Sequence, residues 1–130
     1  MAAIPAFTVV TQHNTWDCAI VALVMLTGTP YEEVLAAAAR IASCERGLYL
    51  SEVRKISDEL GVPLRCLRRG RYDPDTVTGI LHVYDIKASA YHVVILWEGQ
   101  VIDNGKVWRD LDVYLATEGY KAGALLMRDD

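Results

Sequence analysis

Cysteine is scarce in this chain: three in 130 residues, an odd number at wide spacing, at positions 18, 44 and 66. That pattern builds neither a disulfide framework nor a zinc signature, and it fits a reducing cytoplasm with at least one thiol free. Long apolar runs are also missing. The longest, Ala19 to Leu26, is too short to cross a bilayer, so no membrane segment is expected. Met1 to Val10 has no basic stretch and no clear cleavage site, which argues against a signal peptide. Positive charge does not dominate. With 13 Lys+Arg against 17 Asp+Glu the net charge is -4, and a pI near 5.3 speaks against a general nucleic-acid binder. No repeat, linker or low-complexity tract divides the chain. At 52% hydrophobic and 23% charged residues, it reads as one domain over 1–130 with a proper hydrophobic core. Nothing in the sequence speaks to oligomeric state.

The most informative stretch runs from Gln12 through Trp16-Asp17-Cys18 into the apolar segment Ala19–Leu26 and stops at Thr27-Gly28. Periodicity alone does not separate buried helix from buried strand in such a run. The flanks favour helix: Thr15 is a candidate N-cap, Ala, Leu and Met are strong helix formers, and Gly28 suits a C-terminal stop. Cys18 then occupies the first turn of a helix apolar all round, and therefore central to the core. A thiol there feels the helix dipole and the unpaired first-turn N–H groups, both of which favour thiolate. The Gln12 amide, folded back beside that helix start, and the Cys18 N–H are placed to hold an oxyanion.

The remaining elements follow from local signals. Thr29-Pro30-Tyr31-Glu32 predicts a capped helix start with Pro at the first helical position, and an apolar face continues to about Ser43. Gly47 breaks the pattern. A third helix runs from Ser51 to Leu60-Gly61. Strands are expected at Val62–Arg68, with Pro63 confining it to an edge or strand start, and at Ile80–Tyr84, Tyr91–Leu96 and Gln100–Asp103. A short helix from about Arg109 to Thr117 and a strand from Tyr120 to Met127 complete the chain. Helices first and an antiparallel sheet second is an α+β architecture.

A nucleophilic thiol needs a base. If Glu98-Gly99 is a two-residue turn, Trp97 faces Gln100, Ile95 faces Ile102 and Val94 faces Asp103. Side chains alternate along a strand, so Asp103 falls on the His92 face, one diagonal step away. A carboxylate beside an imidazole sets its tautomer and stabilises the imidazolium. A bulge in the turn would exchange Asp103 for Asn104. His82, with Asp85 nearby, is the rival base, but the two differ in strand parity. His13 is better read as a surface or rim residue.

Gln, Cys, His and Asp in this order, with the Cys opening a buried helix, resemble the papain-like cysteine peptidases. The closer resemblance is to the bacteriocin-processing peptidase domains that remove double-glycine leaders and are usually fused to exporters. It rests on Gln12, Asp17-Cys18, the run to Leu26-Thr27-Gly28, Gly47 through Leu60-Gly61, His92–Leu96 and Asp103, and covers about 11–103. It implies a papain-like fold and a small cytoplasmic peptidase acting on a peptide or protein substrate without metal or other cofactor. In that reading Gln12 supplies the oxyanion hole, Cys18 is the nucleophile, His92 the general base and acid, and Asp103 the residue that orients His92. The chain departs from the family in having Ala19 where a Gly is usual, Asn104 where a Pro is usual, and a short His92–Asp103 spacing. Leader-peptide processing is therefore not carried over.

Other residues have plainer readings. Cys44 and Cys66 are structural, and Arg65, Arg68, Arg69 and Arg71 form a solvated strand edge. Trp97 and Trp108 are packing residues, whereas Trp16, beside the nucleophile, is the candidate to line a cleft. Asp17 reads as a solvated first-turn acid pointing away from the sulfur. The same three roles also serve amidases, deamidases and acyltransferases, and an inactive peptide-binding module is the non-enzymatic alternative.

Overall fold

The apolar run behind Cys18 is helical, because Ala, Leu and Met favour helix and the buried position leaves no face that must be polar. In a computed structural model, which describes residues 17–42, 48–85, 87 and 90–129, it forms α1 (Cys18–Thr27). Ile20 and Leu23 are fully buried, and Gly28 closes the helix at φ 74° with its N–H on Val24 O. The helix begins at Asp17, which is its N-cap; Thr15 lies outside the described residues. Asp17 is not solvated. It is 0% exposed, and its Oδ2 accepts a hydrogen bond from Tyr31 Oη at 2.8 Å.

Helix α2 (Tyr31–Ala39) starts one residue later than the capping-box reading places it. Pro30 is the N-cap, and the hydroxyl of Thr27 donates to that of Thr29. Helix α3 (Leu50–Glu59) opens with Glu52 Oε1 accepting the Tyr49 N–H at 2.9 Å. Gly47 lies outside the described residues. Six strands follow: β1 (Leu64–Leu67), β2 (Thr78–Asp85), β3 (Ala90–Trp97), β4 (Gln100–Asp103), β5 (Lys106–Trp108) and β6 (Lys121–Arg128), with α4 (Leu111–Glu118) between the last two. They form one antiparallel sheet in the order β1-β6-β2-β3-β4-β5. Strand β1 is an edge strand and Pro63 directly precedes it, in keeping with the edge or strand start that the proline allows.

Alternation along the strands divides the core into two layers. On one face Ile80, Val93, Ile95, Ile102 and Leu126 pack under α1, α2 and α3. On the other, Leu81, Val83, Val94, Leu96, Val101 and Leu125 pack with Leu111 and Tyr114 of α4. The architecture is α+β, with N-terminal helices on a C-terminal antiparallel sheet. Strand β5 and the second helical layer go beyond the sequence reading. Asn104 and Gly105, at φ 49° and 83°, form the turn that creates β5; an Asn-Gly pair is a strong hairpin signal. Among the described residues no helix is long and apolar enough to cross a membrane.

Candidate active site

The β3–β4 hairpin has the register that its turn residues demand. Glu98 and Gly99 both take positive φ, 47° and 86°, which matches the right-handed twist of the flanking strands. Trp97 pairs with Gln100, Leu96 with Val101 and Ile95 with Ile102. No bulge intervenes, so Asp103 rather than Asn104 shares a face with His92. His92 Nε2 and Asp103 Oδ1 are 2.7 Å apart, with side chains only 19% and 15% exposed.

Among the described residues, pairing of β3 with β4 ends before it reaches His92. The α1 helix packs against β3, and the Cys18 thiol is within hydrogen-bonding reach of the imidazole. Nε2 is taken by Asp103, which leaves Nδ1 for the sulfur. Burial by itself would lower the His92 pKa. The hydrogen bonds to Asp103 and Cys18, with the charges of both, outweigh it and push the imidazole up to about 10. Asp103 moves the other way: burial works to raise it, but the bond and charge of His92 and the bond from Tyr114 hold it below the usual carboxylate range.

Tyr114 is a residue that the sequence reading missed. Fully buried on α4, it donates from Oη to Asp103 Oδ2 at 2.8 Å. Each Asp103 oxygen thus has a different partner, and the carboxylate is held from both ends. Trp108 meets the Tyr114 ring edge-on at 5.2 Å between centroids, and Tyr120 lies between Tyr114 and His92, at 6.0 Å and 6.2 Å. Burial, then Asp103, raises the pKa of both tyrosines, which keeps both neutral and Tyr114 a donor to Asp103. The only advance signal was Tyr114 three residues after Leu111, on one helix face.

A cleft of about 450 Å³ opens beside Cys18 and His92, walled by the Leu48–Leu50 segment on one side and by β2 and β3 on the other. His82 lines it too, from β2, and among the described residues no hydrogen bond joins it to a carboxylate. Asp85 continues the same strand at opposite parity, and its Oδ1 accepts the Lys87 N–H. Gln12, His13 and Trp16 lie outside the described residues, as does Cys44. Cys66 is exposed on β1 rather than packed in the interior. The arginines at 65, 68, 69 and 71 are all exposed, Arg69 reaching Tyr84 Oη at 3.0 Å. Trp97 packs against the α1 layer, and Lys106 Nζ sits 4.1 Å over the Trp108 ring. Among the described residues no group of three or more His, Cys, Asp or Glu side chains is placed to hold a metal. No known family model matches the chain, and no curated protein matches it significantly.

Proposed function

We propose that this protein is a papain-like cysteine hydrolase that cleaves a peptide or amide bond through Cys18, His92 and Asp103. The observation that carries the reading is a thiol in the first turn of a buried helix, meeting an imidazole whose other nitrogen is held by a carboxylate, at the wall of an open cleft. Cys18 Sγ attacks the carbonyl carbon, and the carbonyl oxygen takes up the negative charge. The Cys18 N–H, in the first turn whose amides an α-helix leaves without intrahelical partners, is one donor to that oxygen, and Gln12 supplies the second by the family resemblance. His92, charged while the thiolate is beside it, gives its proton to the leaving amine as the carbon–nitrogen bond breaks. The resulting thioester carries no charge on sulfur. The Cys18 contribution that raises the His92 pKa is then gone, so the imidazole becomes basic enough in its neutral form to take a proton from water. Attack by that water releases the acid and restores the thiolate. Asp103 orients the ring throughout, and Tyr114 holds Asp103.

The test is thiol reactivity. Iodoacetamide titrated from pH 5 to 9, with labelled peptides identified by mass spectrometry, is expected to modify Cys18 well ahead of the exposed Cys66 at pH 6. That advantage disappears in His92→Ala. Equal, slow labelling of the two thiols in the wild-type chain sinks the hydrolase reading and leaves a binding module.

A further inference from the structure

Among the described residues the cleft beside the sulfur has walls of one chemical kind. Beyond Cys18 and His92 it is lined by Leu48, Tyr49, Leu50, His82, Tyr91 and Val93. None of these six carries a fixed charge. Burial lowers the His82 pKa, so its ring is neutral at neutral pH. That ring forms part of an aromatic wall, stacked on Tyr91 at 5.4 Å and 22° and on Tyr84 at 5.7 Å and 29°. The stack depends on Gly123 beneath it, where any Cβ would come within 2.8 Å of His82 Nδ1. At the rim Tyr49 and Tyr91 remain 66% and 75% exposed.

We propose that this cleft is the specificity subsite, and that it selects substrates with a large uncharged side chain, aromatic or branched aliphatic, next to the scissile bond. This rests on the hydrolase reading above and narrows it. A pair of glycines at this place would leave the walls in contact with water and use none of their apolar surface. A Lys or Glu side chain would lose its hydration against walls whose described residues offer no counter-charge. A ring or a leucine-sized group displaces the water and stacks on Tyr91 and His82. The subsite therefore separates this chain from the double-glycine preference of the peptidases it resembles.

The experiment uses the full chain and a set of peptide fluoromethyl ketones differing only in the residue beside the ketone: Gly, Leu, Phe, Tyr, Lys or Glu. Each alkylates Cys18 with loss of fluoride, and each rate is divided by the iodoacetamide rate at Cys18 in the same preparation. The Phe, Tyr and Leu probes are expected to react at least about tenfold faster than the Gly probe, with Lys and Glu no faster than Gly. In Tyr91→Ala the advantage shrinks to about threefold or less, and the conservative Tyr91→Phe retains it. A Gly probe as fast as Phe, or a fast Lys or Glu probe, overturns the subsite while activated Cys18 keeps the hydrolase reading standing. If iodoacetamide finds Cys18 no more reactive than Cys66, the hydrolase reading falls and the subsite falls with it.

Discussion

Tyr114 Oη donates to Asp103 Oδ2 at 2.8 Å, on the carboxylate whose other oxygen is 2.7 Å from His92 Nε2. The pairing joins α4, on one side of the sheet, to a thiol presented by α1 on the other. Removing only the hydroxyl, in Tyr114→Phe, leaves a half-buried carboxylate oxygen short of one donor. The expected cost is ~1 kcal/mol of stability by urea denaturation. A drop of about tenfold in Cys18 alkylation at pH 6 should accompany it as Asp103 loses its fixed orientation. A stability loss with an unchanged alkylation profile would reduce Tyr114 to a packing residue.

Asp103→Asn keeps the shape of the side chain and removes its charge. The hydrogen bond to and the charge of Asp103 are two of the causes that raise the His92 pKa to about 10. In the variant the imidazole therefore loses its proton at lower pH. The alkaline limb of Cys18 reactivity, which follows loss of the His92 proton, is expected to retreat by a pH unit or more. Reactivity measured from pH 7 to 11 checks this, and a limb that does not move removes Asp103 from the pair.

Stability should depend on pH with a sign set by the same pair. A His92 pKa raised to about 10 in the folded chain, against an ordinary value near ~6.5 unfolded, contributes stability that is complete below the unfolded value. It is lost as pH rises toward the folded one. In the wild-type chain part of that rise in the His92 pKa comes from its bond to Cys18 and from the Cys18 charge. The Cys18→Ala variant isolates the His92–Asp103 share. Its urea midpoint should decline from near pH 6.5 upward, by no more than ~1.4 kcal/mol per pH unit, and level off below about pH 10 because the sulfur contribution is gone. Adding His92→Gln should flatten that decline.

Asp17 is buried at the start of α1 and accepts the Tyr31 hydroxyl at 2.8 Å. The bond ties the helix end that carries Cys18 to α2. Tyr31→Phe is expected to lower stability by about 1–2 kcal/mol, since it removes a donor from a buried carboxylate. Thermal or urea unfolding measures it; a change below ~0.3 kcal/mol would show that the tie contributes little.

Much of the hairpin was legible because strand geometry is periodic and the turn is short. Two residues at Glu98-Gly99 leave one register, and side-chain alternation then puts Asp103 with His92. The burial of α1 was legible for a similar reason, since an apolar run with no polar face has to lie inside. The Asp17 environment was not, because a first-turn acid is solvated or buried according to what packs beside it. Tyr31, fourteen positions on, decides that. Strand β5 was within reach of the sequence through Asn104-Gly105, and its omission reflects a short strand of three residues.

Local chemistry, written in the order of residues, determined the elements, the His92–Asp103 register and the thiol at a helix start. Those depend on dihedral preference, periodicity and turn length, which act between near neighbours. Tertiary packing alone decided that β6 inserts between β1 and β2, that Tyr114 of α4 reaches Asp103 on the face they share, and that Leu48, Tyr49 and Leu50 close a cleft against His82 and Tyr91. Contacts between segments so distant in the chain follow from which apolar faces can be buried together, and no local pattern encodes that choice.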